Sequence, residues 1–269
     1  MLKTRVVTGA VLSVIIATVL IFSRIPWVLN IAIATLCVQA IYELYNATGL
    51  KSYKWLYWLS YVAAIILSFV TLPHYAYIIT PMFVLTIIIF IELFVKGQKR
   101  ISPIIPILLA IIFIFFFKTM SYLQQLKCGV YLLGGAVLIS VITDIAAYFV
   151  GRSVGKHKLA PVISPKKTIE GSIGGTLIAT ATLAIIAIIL QSYGLIKINI
   201  GLTILYLVLA SMVGQFGDLA LSSIKRIVGI KDYGNLLPGH GGILDRFDSL
   251  LFVLPFTYLF FNLVGNIII

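Results

Sequence analysis

Residues 222–248 read SSIKRIVGIKDYGNLLPGHGGILDRFD and lie between two long apolar runs. This short segment holds Lys225, Arg226, Lys231, Asp232, His240, Asp245, Arg246 and Asp248, in a chain whose charged residues make up only 10%. Asp245 and Asp248 are three apart, so on a helix they share one face. Two carboxylates held side by side repel unless a cation or a proton answers them. Gly239, Gly241 and Gly242 come just before them, where the backbone must turn tightly or approach a ligand closely. Paired carboxylates, a glycine turn and flanking cations point to a site for a metal and phosphate. The alternative, first-turn acids complementing a helix dipole, explains either aspartate alone. It does not explain the same-face pair behind the glycines.

The remaining polar chemistry lies mainly in the second half. Residues 151–171, GRSVGKHKLAPVISPKKTIEG, form a long, basic stretch rich in Gly, Ser and Pro. In it Ser164, Lys166, Lys167 and Thr168 precede a helix that opens with Glu170 and Gly171. Cations and hydroxyls at a helix N-terminus suit a phosphate. A solvated basic loop, followed by a helix packed through Gly171 and Gly175, fits the same residues. Asp144 and Asp218 lie within apolar runs, near the inner ends of their spans. An ionised aspartate at the bilayer centre costs about 2.5–3.5 kcal/mol, so each needs a partner or a wet cavity.

The elements that position these residues are helices. Hydrophobic residues make up 61% of the 269-residue chain, against the 45–50% or so of a soluble domain. Runs long enough to span a bilayer recur from end to end. The expected fold is therefore all-α, a polytopic helical membrane protein. It has about nine spans, near 5–23, 26–46, 55–72, 76–95, 103–120, 130–150, 172–192, 201–221 and 248–267. Barrel strands would alternate apolar and polar residues, and these runs do not. Residues 1–125 read as a scaffold of membrane helices, and 126–269 as the part carrying the catalytic site.

A net charge of +12 would raise nucleic acid as a partner for a soluble protein. Here it sets topology and faces anionic lipid, and no nucleic acid is expected. With the N-terminus in the cytoplasm, most basic residues fall inside, leaving Arg24, Lys118, Lys127 and Lys197 outside. All eight acids then lie toward the cytoplasmic side. Glu43 and Glu92, near inner helix ends, read as structural anchors or partners of nearby lysines. Cys37 and Cys128 lack metal-ligand spacing and read as structural. The apolar start reads as a first span rather than a cleaved signal peptide.

The order S-x-I-K-R-x4-K-D-x-G-x2-L-P-x-H-G-G-I-x-D-R-F-D from Ser222 resembles the signature of the phosphatidate cytidylyltransferases, the CDP-diacylglycerol synthases. D-x2-A-Y-x2-G-R from Asp144 and S-P-K-K-T-x-E-G from Ser164 resemble a second block of that family. The resemblance covers about residues 140–250 in detail. It implies that CTP and phosphatidic acid give CDP-diacylglycerol and pyrophosphate, with Mg²⁺ and room for a second ion. It places Asp218 and Asp245 among the metal-binding acids and lends Asp144 and Asp248 a weaker site role. Lys166, Lys167, Thr168, Ser164 and Arg246 would hold phosphates, with Lys225, Arg226, Lys231 and His240 as further candidates. The implied setting is a bacterial inner membrane, with the site on the cytoplasmic face. Small-residue helix faces allow a homodimer. Rival readings are a CTP-using lipid kinase, an archaeal-type ether-lipid cytidylyltransferase and an ion or phosphate transporter. No internal repeat of the 225–248 block supports the transporter.

Overall fold

The computed structural model describes residues 2–96, 101–239 and 241–264. Among them are nine α-helices: α1 (Leu2–Ile21), α2 (Pro26–Ala47), α3 (Lys54–Phe69), α4 (Tyr75–Lys96), α5 (Ile104–Gln125), α6 (Gly129–Val154), α7 (Ile169–Ser192), α8 (Ile200–Ile227) and α9 (Leu244–Val264). Seven are long and apolar enough to cross a membrane; the first and third are the shorter two. The all-α membrane architecture holds. Each expected span has its helix, and the ends differ by a few residues. Pro26 sits in the first turn of α2, where its missing N–H costs nothing. Pro81 and Pro255 lie inside α4 and α9, where membrane helices tolerate them.

The stretch expected to be an extended loop after α6 is partly ordered. β1 (Lys158–Ala160) and β2 (Ser164–Thr168) pair antiparallel, with Lys158 opposite Thr168 and Ala160 opposite Ser164. Thr168 then caps α7, its Oγ1 accepting from Gly171 N at 3.1 Å. Such a cap satisfies one of the first-turn amides that a helix leaves open.

The described chain divides into two compact units, residues 1–122 with 223–248, and residues 123–222 with 249–269. The segment Ser223–Asp248 groups with the first-half helices.

In the first unit an aromatic and aliphatic core gathers Ile33, Ile41, Tyr45, Phe90, Phe113, Phe116 and Phe117, all fully buried. Its third helix has 16 residues, or about 24 Å, less than the roughly 30 Å of a bilayer core. The polar groups past its end therefore need partners from protein. Lys118, 2% exposed, donates from Nζ to Ser68 O at 2.7 Å. The Tyr122 hydroxyl accepts from Leu72 N at 2.6 Å and lies 3.1 Å from Leu72 O. Lys118 is thus a buried cap of α3, not the outer-surface charge expected of it. Its place in α5, some residues before the helix end, takes it out of the loop and into the packing.

In the second unit α6 and α7 pack through small residues. A Cβ on Gly175 would stand 2.8 Å from Ala147 Cβ and 2.9 Å from Thr143 O. One on Gly171 would stand 2.7 Å from Ala147 O. The packing role expected of Gly171 and Gly175 is therefore real. Close approach of this kind is how membrane helices gain contact without a hydrophobic driving force.

Replacing Lys118 by Leu should strand the Ser68 carbonyl, costing about 1–3 kcal/mol. Thermal unfolding in detergent should show a lower apparent Tm for Lys118→Leu. The same change at exposed Lys127 should leave the apparent Tm within error.

Candidate functional site

In the first unit, residues 228–243 join α8 to α9 and bring the signature residues together. Leu237 and Gly241 exchange two backbone hydrogen bonds, 2.9 and 3.1 Å, closing a tight turn. Gly239 (φ 77°) and Gly241 (φ 86°) take the left-handed conformation that this turn requires. Asp245 follows in the first turn of α9. Its Oδ1 accepts from Lys225 Nζ at 2.8 Å. Its Oδ2 accepts from Tyr233 N at 2.7 Å and Gly242 N at 3.0 Å. The pair is nearly sealed, with side chains 10% and 2% exposed for Lys225 and Asp245. The Lys225 ammonium also sits 5.5 Å from the Tyr233 ring centroid. Burial holds the Tyr233 phenol well above its usual pKa, reinforced by the charges of Asp245, Asp248 and Glu43, so the ring stays neutral.

Asp248 is buried one turn further along α9. Arg246, between the two aspartates, is exposed. With Lys231, Asp232, Asn235 and Gly239 it lines a polar cavity of about 470 Å³. Arg226 is exposed and donates to Ile230 O at 3.3 Å. His240 lies outside the described residues.

One member of this arrangement was not anticipated. Glu43 of α2 is 1% exposed, and its carboxylate accepts from Ile243 N at 2.9 Å and Leu244 N at 2.8 Å. Gln39 Nε2 adds a third bond at 2.9 Å. Of the two roles read for Glu43, anchor or partner of nearby lysines, these bonds match the anchor, with the amides opening α9 as its partners. The only sequence signal was that Glu43 is the one charged residue of α2.

In the second unit, Lys167 on β2 forms an ion pair with Asp218 Oδ2 of α8. Both side chains are about a quarter exposed, 25% and 22%. Asp218 Oδ1 accepts from Ser222 Oγ at 3.2 Å. The Lys167 nitrogen is itself shielded from solvent and has no acceptor in hydrogen-bonding geometry. Lys166 is exposed, and Ser164 is half-buried. Asp144 of α6 accepts from Ser249 Oγ at 3.3 Å. Glu170 accepts from the backbone of Lys156 (3.1 Å) and His157 (3.2 Å) and meets His157 Nδ1 at 2.5 Å, tying the hairpin to the start of α7. Behind Asp144 and Asp218 a hydroxyl and amide network joins Thr143, Ser172, Thr176, Ser211 and Gln215.

These donors suit a hard cation. The acids offer only oxygen, the donor type a hard cation prefers, and both oxygens of Asp245 are already engaged by Lys225, Tyr233 and Gly242. Among the described residues no three His, Cys, Asp or Glu side chains converge on one point. An Mg²⁺ ion would complete its shell with water and phosphate oxygens, as it commonly does. The Lys167 ammonium, ion-paired with Asp218, is of a kind that also suits a phosphate oxygen.

Removing one member of a buried pair strands the other. Lys225→Met alone should destabilise by about 3–5 kcal/mol. Lys225→Met combined with Asp245→Asn should recover part of that loss. Apparent melting temperatures of the two single variants and the double variant measure this coupling.

Residues 3–264 match the model of the cytidylyltransferase family. A phosphatidate cytidylyltransferase of Bacillus subtilis is 35% identical over 267 residues, 96% of each chain. Those of Staphylococcus epidermidis and Staphylococcus aureus are 48% and 45% identical over 143 residues, 53% of this chain and 51% of theirs. In the staphylococcal matches the chain spans about half the relative's length. With a family match running through almost all of its residues, this chain belongs to the cytidylyltransferase family.

Proposed function

We propose that this protein is an integral-membrane phosphatidate cytidylyltransferase, converting CTP and phosphatidic acid to CDP-diacylglycerol and pyrophosphate. One observation carries the reading. In a chain matched almost end to end by the family, each signature block supplies a lysine that meets an aspartate, Lys167 with Asp218 of α8 and Lys225 with Asp245. A phosphate oxygen of the lipid attacks the α-phosphorus of CTP. The bond from that phosphorus to the bridging oxygen of the β-phosphate breaks, and pyrophosphate carries away the electron pair. The lipid phosphate is already anionic, so no strong base is required. What the protein supplies is positioning and compensation of charge.

Asp218 and Asp245 would each serve as a Mg²⁺ ligand, with Asp144 and Asp248 in support. An ion held by either would offset phosphate charge and polarise the phosphoryl oxygens. Lys166, Lys167, Thr168 and Arg246 would bind and orient phosphates, with Ser164, Arg226, Lys231 and His240 at the margin. Lys225 serves first to fix Asp245, since its ammonium is buried against that carboxylate. The setting is a bacterial inner membrane, with the N-terminus and the site toward the cytoplasm, where CTP is available. A homodimer is compatible with this reading.

The test is a turnover assay on detergent-purified protein, with phosphatidic acid and α-labelled CTP. Label should enter the lipid fraction as pyrophosphate is released. Chelation should stop both, and added Mg²⁺ should restore them. Asp218→Asn and Asp245→Asn should each lower turnover by at least about a hundredfold. Near-normal turnover in either variant would remove that residue from the assignment. Release of CDP without labelled lipid would instead indicate a lipid kinase. Neither product from folded protein would exclude phosphatidic acid as the substrate.

A further inference from the structure

α9 opens without a side-chain cap of its own. Ile243 precedes its first residue, Leu244, and an isoleucine side chain accepts no hydrogen bond. An acceptor instead comes from α2, some 200 residues earlier in the chain, where the Glu43 carboxylate takes the amides of Ile243 and Leu244. A serine or aspartate at 243 would accept from the amides of 245 or 246, so an ordinary cap would not replace Glu43.

The glycines explain what the longer route achieves. A Cβ on Gly242 would collide with Glu43 Oε2. One on Gly241 would stand 2.9 Å from Asp245 Oδ2. Gly234 also lies against Glu43, its added Cβ 3.0 Å from Oε1. The turn before α9 is thus pressed between two carboxylates. Asp245 takes the amides of Tyr233 and Gly242, while Glu43 takes those of Ile243 and Leu244. Three consecutive amides, 242 to 244, are held this way. Asp245 comes next in the chain and Arg246 after it, so the clamp sets where both side chains begin.

We propose that Glu43 is a positioning residue for cytidylyl transfer. It holds the 241–245 turn so that Asp245 and Arg246 are presented in one fixed arrangement, without itself touching a substrate. This rests on the reaction proposed above. It extends the working part of the protein into the first-half helices, outside both signature blocks.

The test is Glu43→Gln. The amide keeps size and shape, but its –NH₂ cannot accept from a backbone N–H, so one amide loses its acceptor. With purified folded protein, kcat should fall by about a hundredfold, the scale of a misplacement near 1 Å. KM for CTP should change by less than about threefold. Hydrogen exchange should show lost protection at Ile243 and Leu244, with α4 and α5 unchanged. Glu43→Asp keeps the charge, shortens the reach and should behave alike. A folded Glu43→Gln protein with kcat within about twofold of wild type would overturn the proposal, as would unaltered protection at Ile243 and Leu244. Loss of fold in both variants would make Glu43 a folding residue and overturn it as well. Wild-type protein that forms no CDP-diacylglycerol would instead strike the reaction assignment, because the exchange pattern reads the clamp without any substrate.

Discussion

A carboxylate placed inside an apolar protein must have its charge answered within hydrogen-bonding reach, or it will not stay ionised. Much of this molecule is arranged to meet that condition. Asp245 is answered by one ammonium and two backbone amides. Glu43 is answered by two amides at a helix N-terminus and one side-chain amide. Asp218 has a lysine and a serine. The glycine turn and the basic hairpin follow from these needs. Only glycine lets the backbone pass against Glu43 and Asp245, and only the hairpin brings Lys167 to Asp218.

The same rule applied to a cation accounts for the third helix. At 16 residues it leaves its C-terminal polar groups at a depth where water is scarce. Lys118 meets the carbonyl of Ser68, and the Tyr122 hydroxyl meets the backbone of Leu72. The tyrosine is itself set by near-parallel stacking on Tyr75, with ring centroids 3.8 Å apart. A short helix and a buried lysine are therefore two sides of one solution.

Much of the fold was legible because apolar runs of span length carry their own signal, and each of the nine became a helix. Hydropathy lost the ends. α8 continues to Ile227 through Ser222, Ser223, Lys225 and Arg226, which are polar but still helical. α7 starts at Ile169, earlier than its apolar run, because Thr168 caps it there. The hairpin was hidden by its composition, since SPKKT is charged and proline-bearing and reads as loop. Asp245 and Lys167 were legible as local concentrations of charge within family motifs, and Asp218 as an acid within an apolar run. Glu43 was not, because its role depends on a partner some 200 residues away and on backbone amides, which have no sequence identity. Lys118 was misplaced for a related reason, since a charge near a helix end looks alike whether it faces water or a carbonyl.

The two lysine–aspartate pairs are not equivalent. Lys225 has a well-formed bond to Asp245, an aromatic ring beside its ammonium and almost no exposure. Moving it would strand a buried carboxylate, at a cost of several kcal/mol. Lys167 lies about a quarter exposed against an aspartate that is also partly open, and its nitrogen lacks an acceptor in hydrogen-bonding geometry. Turning to a phosphate would exchange that ion pair for a charge-assisted hydrogen bond. Under the proposed reaction, Lys225 would be the fixed cation that sets a carboxylate, and Lys167 the more accessible one. The hairpin suits that role. Glu170 ties its base, while its tip at Pro161 and Val162 is exposed.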